Sequence, residues 1–285
     1  MNIGFERITI IGVGLLGASL GLALKRRKSG ARITGVGRRA ESLEKALQCG
    51  AVDEISLDPL SASAQADAVI IATPVQQVIP LLDLLAPHLS PNALVMDVAS
   101  VKQEICDHAR RIFPVPRRFV GCHPMAGGEK FGPENGTAEL YEGTVCLMED
   151  SPDLSEEAQQ AARAFWEFVG TRVVTLNAAR HDALLARTSH LPHVAAAALA
   201  RIVYDAGADS TLIGRGFLDV TRIAASRAEI WRDISLSNRG ALLGAIQELQ
   251  QSLDAFEAAL TKGDAAAVED FFEKAAEARG KVTAS

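Results

Sequence analysis

Residues 12–17 read Gly12-Val13-Gly14-Leu15-Leu16-Gly17, and their neighbours decide what the three glycines mean. Upstream, residues 7–12 (RITIIG) form a short, β-branched apolar run that predicts a buried strand. Downstream, residues 15–28 carry helical periodicity. A G-x-G-x-x-G pattern alone is weak, because glycine-rich turns occur in many α/β proteins. Set between a strand and a helix, it describes a turn built to close on a diphosphate. Gly12 permits the tight turn, Gly14 lets the backbone approach the ligand, and Gly17 lets the helix pack closely on the strand. The backbone N–H groups of the helix start, around Leu15 and Leu16, then face an anion.

Further strands are predicted at residues 32–37 (RITGVG), 67–73 (DAVIIAT), 93–98 (ALVMDV) and from residue 118. Helical stretches separate them, among them residues 41–48, which end at Gly50. The strand runs are continuously apolar rather than alternating, as in parallel strands covered by helices on both faces. The expected fold class is α/β, an N-terminal Rossmann-type doubly wound sheet followed by an all-α C-terminal domain. Residues 144–148 predict a further short strand, and residues 171–176 the last strand of the same sheet. From residue 178 onward only helical periodicity remains, broken at Gly207, Gly214, Gly216 and Gly263. The expected domains are residues 1–177, binding a dinucleotide, and residues 178–285, binding substrate and dimerising. The run at residues 195–200 (AAAALA) suits a helix packed closely against others across a subunit boundary. A lone helical hairpin would bury little, so a homodimer is expected.

The composition excludes several classes. A formal net charge of -6 argues against general affinity for nucleic-acid phosphates, which needs a basic face. Cys49, Cys106, Cys122 and Cys146 form no C-x-x-C pair and no zinc-type spacing, so reduced thiols and a cytoplasmic location are expected, with no metal. The N-terminus lacks a secretory pattern, and no stretch is apolar for long enough to span a membrane.

The end of the second predicted strand bears on cofactor choice. An enzyme preferring NAD usually places Asp or Glu there, against the ribose 2′-OH. This chain has Gly37 followed by Arg38 and Arg39. Without a carboxylate there is no repulsion of a 2′-phosphate, and arginine offers it planar, charge-assisted bonds. NADP is therefore favoured, with NAD the alternative; two solvated loop arginines are the plainer reading. Thr73 and Pro74, closing the third predicted strand, complete the expected cofactor set.

Four other segments stand out: residues 97–102 (DVASVK), 121–127 (GCHPMAG), 189–193 (SHLPH) and 217–224 (FLDVTRIA). The first two follow predicted strands, at the edge where open parallel sheets bind ligands. Together with the glycine turn they resemble the prephenate/arogenate dehydrogenase family, along nearly the whole chain as far as residues 231–234 (WRDI). The chain has no room for a fused chorismate mutase or a sizeable regulatory domain, so the monofunctional form is expected.

The resemblance implies oxidative decarboxylation in tyrosine biosynthesis: prephenate goes to 4-hydroxyphenylpyruvate, with a hydride passing to the nicotinamide. It makes His123 the partner for the substrate hydroxyl proton, a role that suits a neutral imidazole. Ser100 matches the serine that orients this histidine. Arg222 matches the anchor for a substrate carboxylate, and His190 and His193 line the substrate side-chain pocket. Glu129 matches an acidic position near the mouth of the site, and Trp231 helps to close it. On the residues alone, His123 could merely cap a turn, His190 and His193 could be a metal pair, and Arg222 could pair with Asp219. Lys102 and Arg232 are expected to be solvated or structural.

Prephenate carries a keto acid where arogenate carries an amino acid. A donor from His193 favours prephenate, while the NADP-like strand end is familiar among arogenate-using relatives. The alternatives are therefore an arogenate dehydrogenase or a cyclohexadienyl dehydrogenase that uses both substrates. A more distant one is another Rossmann-plus-helical dehydrogenase, acting on hydroxy acids or cyclic imines. A non-enzymatic nucleotide sensor would need no polar cluster converging on the cofactor.

Overall fold

The structure is a computed structural model that describes residues 3–128, 130–207 and 209–283. Its first part alternates strand and helix: β1 (Arg7–Ile11), α1 (Leu15–Arg26), β2 (Arg32–Val36), α2 (Ala40–Gln48), β3 (Glu54–Ser56), α3 (Pro59–Ser63) and β4 (Ala68–Ile71). There follow α4 (Val78–Leu85), β5 (Leu94–Asp97), α5 (Gln103–Ile112) and β6 (Phe119–Val120). These strands pair in parallel in the order β3-β2-β1-β4-β5-β6. Alternate residues of β4 feed two separate cores, Ala68 and Ile70 on one side, Val69 and Ile71 on the other. That is why the strands read as unbroken apolar runs.

A second sheet starts where the first one stops. β6 is two residues long, and after Gly121 the chain enters β7 (Cys122–Pro124), which pairs antiparallel with β8 (Val145–Glu149). Helix α6 (Glu156–Phe168), capped by the Ser155 side chain, leads to β9 (Arg172–Leu176), parallel to β8. Residues 171–176 therefore do not form the last strand of the main sheet. They form the edge of a three-stranded one, because β8 and not β6 supplies the neighbouring ladder. Strand β3 was not anticipated: its three residues are only partly buried and carry too little periodicity to be read.

Under this junction lies a buried ion-pair network. Arg117, fully buried, bonds Glu149 and Asp153, each at 2.7 Å. Glu149 in turn accepts the Gly121 N–H at 3.2 Å, fixing the crossover between the sheets.

From Ala178 every element is helical: α7 (Ala178–Leu185), a π-helical turn (Ala186–His190), α8 (Leu191–Asp205), α9 (Arg215–Thr221) and α10 (Ala228–Ser237), then α11 (Arg239–Lys262) and α12 (Ala265–Thr283). The chain divides into two compact units after Asn238, so α7 to α10 share the first unit with both sheets. The second unit is a helical hairpin turned at Gly263 (φ 63°) and joined by Phe256 against Phe271, ring centroids 4.8 Å apart. Of α11 only Leu242, Ala245 and Ala259 are buried, while Leu243, Leu253, Leu260 and, on α12, Phe272 are exposed. Among the described residues no helix is long and apolar enough to cross a membrane.

Candidate active site

The strand order reverses between β1 and β4, and in such sheets the crevice beyond the carboxyl ends is where ligands bind. Gly12, just after β1, has φ 98°, and a Cβ there would lie 2.5 Å from the Ala72 carbonyl oxygen. A Cβ on Gly17 would lie 2.0 Å from the Gly12 carbonyl oxygen, so α1 can approach β1 only with glycine at that position. Gly14 differs: a Cβ there would meet nothing within 4 Å, which leaves open space over the turn. Among the described residues no side chain caps α1 at Gly14, so its first N–H groups face the open space over the turn. Beside them, after β4, Thr73 Oγ1 is buried and finds no hydrogen-bond partner among the described residues. A dinucleotide diphosphate fits this cradle of open backbone, free N–H groups and an orphaned hydroxyl.

Three connected cavities extend from the cradle. The first, about 480 Å³, is lined by Gly12, Gly14, Leu15, Arg38, Arg39, Thr73 and Pro74. The second, about 330 Å³, shares Gly14, Leu15, Thr73 and Pro74 with it and adds Leu16, Ser100 and His123. The third, about 740 Å³, takes Ser100 and His123 from the second and adds His190, His193, Arg222 and Trp231. The structure therefore brings the sequence-selected residues around three adjoining cavities that share lining residues, with Gly17 packed behind them. Glu129 lies outside the described residues.

His123 sits in β7 rather than in a loop after a strand, and is held between partners. Asp97, closing β5, accepts the N–H of Ala99 at 3.0 Å and of Cys122 at 3.1 Å, and pairs with Lys102. One carboxylate thus fixes both the loop carrying Ser100 and the strand carrying His123. Lys102 is buried rather than solvated. The His123 Nδ1 lies 2.9 Å from His181 Nε2, and His181 Nδ1 lies 2.7 Å from Asp182 Oδ1. Burial first, then the neighbouring His181, Lys102 and His190, pushes His123 well below the ordinary histidine range and keeps it neutral near pH 7.

The two helical histidines have opposite hydrogen-bonding senses. Asn238 Nδ2 donates to His190 Nδ1 at 3.1 Å, so the neutral ring carries its proton on Nε2. That Nε2 is buried without a partner among the described residues, in a side chain lining the third cavity. Burial lowers the His190 pKa to about 4. His193 instead donates from Nδ1 to the Ser189 carbonyl at 3.0 Å, which leaves Nε2 an acceptor. The expected donor in the side-chain pocket is thus His190, because the proton of His193 is used within its own helix. His193 stacks on Trp231 with ring centroids 3.5 Å apart.

Sequence reasoning missed His181, Asp182, Phe131 and Arg227. The Arg227 guanidinium lies 4.8 Å from the Phe131 ring centroid, and both side chains line the first and third cavities. The His181-Asp182 dipeptide in the first turns of α7, soon after the Asn177 cap, was the available signal, since an adjacent carboxylate often orients an imidazole.

The comparisons agree with this geometry. Residues 20–175 match the profile for "Prephenate dehydrogenase, nucleotide-binding domain" and residues 177–274 that for "Prephenate dehydrogenase, dimerization domain". The chain is 31% identical over 284 residues to prephenate dehydrogenase of Bacillus subtilis, covering 98% of this chain and 76% of that one. It is 30% identical over 282 residues to cyclohexadienyl dehydrogenase of Zymomonas mobilis, covering 96% and 95% respectively. Among solved structures, prephenate dehydrogenase from A. aeolicus, in complex with hydroxyphenyl propionate and NAD+, superposes with a TM-score of 0.90. That pair is 29% identical, and the match covers 97% of this chain and 98% of the other. With a glycine-turn crevice for a nicotinamide nucleotide and a histidine at its inner end, the chain belongs to the prephenate dehydrogenase family of oxidoreductases.

Proposed function

We propose that the protein oxidatively decarboxylates prephenate to 4-hydroxyphenylpyruvate in tyrosine biosynthesis, with NADP as the acceptor. The observation that carries this reading is that His123, Ser100 and Arg222 line one cavity, and that the adjoining cavity shares Ser100 and His123 and reaches Gly14 of the glycine turn. The bound nicotinamide supplies the hydride acceptor. The residues of the chain orient the ring and take up the hydroxyl proton. As the hydride leaves the hydroxyl-bearing carbon, the O–H proton passes to the His123 imidazole. The bond to the ring carboxylate breaks, carbon dioxide departs, its electron pair completes the aromatic ring, and the His123 imidazolium returns the proton to the ring oxygen, giving the phenol. The Arg222 guanidinium anchors a carboxylate of the substrate, for which its planar fork is suited. Trp231 stacks behind His193 and walls the side-chain end.

Support for prephenate comes from the His190 Nε2–H, a buried donor without a partner among the described residues that matches a keto oxygen. The acceptor left on His193 favours a second reading, in which the ammonium of arogenate is also accepted and both substrates are used. Support for NADP comes from Arg38, Arg39 and Ser42, which line the outer cavity beside Gly37. Residues 1–177 form the dinucleotide-binding domain and residues 178–285 the substrate-binding and dimerisation domain of a homodimer. The exposed apolar residues of α11 and α12, together with the dimerization-domain match, support that assembly. The four free thiols support a reducing, cytoplasmic setting.

Steady-state kinetics over the four combinations of prephenate or arogenate with NADP or NAD test the proposal. The highest kcat/KM is expected with prephenate and NADP. Turnover of arogenate alone, or stronger use of NAD, overturns the corresponding half.

A further inference from the structure

His123 is the first of three side chains in line. Its Nδ1 lies 2.9 Å from His181 Nε2, and His181 Nδ1 lies 2.7 Å from Asp182 Oδ1. The line ends firmly. Asp182 Oδ1 also accepts the Lys102 N–H at 2.8 Å, and Oδ2 the Gln103 N–H at 2.9 Å, both at the start of α5. All three side chains are buried. Helix α7, which carries His181 and Asp182, is thereby tied to the loop that carries Ser100.

The sense of each hydrogen bond follows from the fixed end. A carboxylate only accepts, so the proton between His181 and Asp182 belongs to His181 Nδ1. In a neutral His181 ring the other nitrogen, Nε2, then holds a lone pair and accepts. The proton between the two rings must therefore sit on His123 Nδ1. That leaves His123 Nε2 without a proton, on a side chain that lines both the cofactor and the substrate cavities. A free imidazole populates the other tautomer as well, and in that tautomer Nε2 would donate instead of accepting. A base locked in the accepting form costs nothing to reorganise when the substrate arrives. As His123 gains the hydroxyl proton, the contact with His181 strengthens and Asp182 faces the developing charge. No proton needs to travel beyond His123.

We infer that His181 and Asp182 are positioning residues that hold His123 as the Nδ1–H tautomer, with Nε2 free to accept the substrate hydroxyl proton. This rests on the reading of His123 as the base. Neither His181 nor Asp182 lines the glycine-turn crevice or the substrate cavity, so replacing the His181 side chain acts on turnover more than on binding.

Two measurements test the inference on the full-length protein. In long-range proton–nitrogen NMR of histidine-labelled enzyme, assigned with His123→Asn, His123 is expected to show a protonated Nδ1 and a bare Nε2. A His123 ring protonated on Nε2 overturns the proposal before any kinetics. The second measurement compares His181→Leu with His181→Gln. Leucine removes the acceptor for the His123 proton, whereas the glutamine carbonyl replaces it. His181→Leu is expected to lower kcat about 10- to 100-fold with both KM values changed less than about threefold, and His181→Gln to recover most of the loss. Equal kcat for the leucine variant and the parent, or equal losses in both variants, overturns it. If His123→Asn itself turns over normally, the assignment of the base fails instead, whatever the tautomer.

Discussion

Asp97 Oδ1 accepts the backbone N–H of Cys122 at 3.1 Å, joining the end of β5 to the strand that presents His123. The same carboxylate neutralises the buried Lys102, so position and charge balance depend on one side chain. Removing one partner of a buried pair leaves an uncompensated charge, at a cost of about 3–5 kcal/mol. Asp97→Ala is therefore expected to lower the urea midpoint sharply, and Lys102→Met in the same background to recover part of the loss. An unchanged midpoint in the single variant would show that the pair contributes little.

His123→Asn keeps a polar side chain of similar reach but cannot take up the hydroxyl proton. Turnover is expected to fall about 10²- to 10⁴-fold. Binding of NADP, followed by fluorescence titration, is expected to stay within error of the parent, because the glycine turn is untouched. Retained turnover would remove the base from the proposed reaction.

The pH profile carries a sign. Burial places the His123 pKa well below the usual 6.5, and a base works in its deprotonated form. Activity is thus present above the lowered pKa and lost as pH falls through it. His190, lowered to about 4 by burial, stays neutral over the same range. For the free enzyme, kcat/KM is expected to stay level as pH drops past 6.5 and to fall only once it reaches the lowered His123 pKa. A half-maximal point at or above 6.5 contradicts an imidazole depressed in this way.

How much of this was legible in the sequence depended on range. The glycine turn could be read because strand, turn and helix are contiguous, and each glycine answers a local steric demand such as the 2.0 Å approach at Gly17. His123 and Ser100 stood out through motif resemblance. The pairing of His123 with His181, 58 residues apart, could not be read, because it exists only once α7 has docked beside α5. Nor could the donor sense of His190 and the acceptor sense of His193, which Asn238 and the Ser189 carbonyl impose. The sheet change at Gly121 was hidden for another reason. Phe119 to Cys122 run on with no break signal stronger than Gly121, and only the ladder with β8 separates β6 from β7.

Arg38 stands exposed at the mouth of the outer cavity, next to Arg39. A charge-assisted contact with a 2′-phosphate is worth about 1.5–3 kcal/mol. Arg38→Ala is expected to lower kcat/KM for NADP about 10- to 100-fold and to leave that for NAD nearly unchanged. Equal losses with both cofactors would point to a general rather than a phosphate-specific role.

Arg222 opens the 3₁₀ turn Arg222–Ala225 and lines the substrate cavity. If it anchors a carboxylate, Arg222→Ala raises KM for prephenate at least about tenfold, with a smaller effect on kcat. A collapse of kcat at constant KM would assign it to the chemical step instead.

The His123 ring hangs from β7, pinned by Asp97 and by the Glu149 contact at Gly121, whereas the far end of the cleft is furnished by a π-helical turn, α8 and α10. On the proposed reading the proton acceptor and the side-chain pocket hang from different elements, joined through α7, whose His181 meets His123 and whose Asp182 carbonyl accepts from Asn238. With α7 kept, an exchange of residues 189–193 and 222–231 for those of a relative with a different appetite is expected to retune which cyclohexadiene enters and to leave the aromatisation step alone.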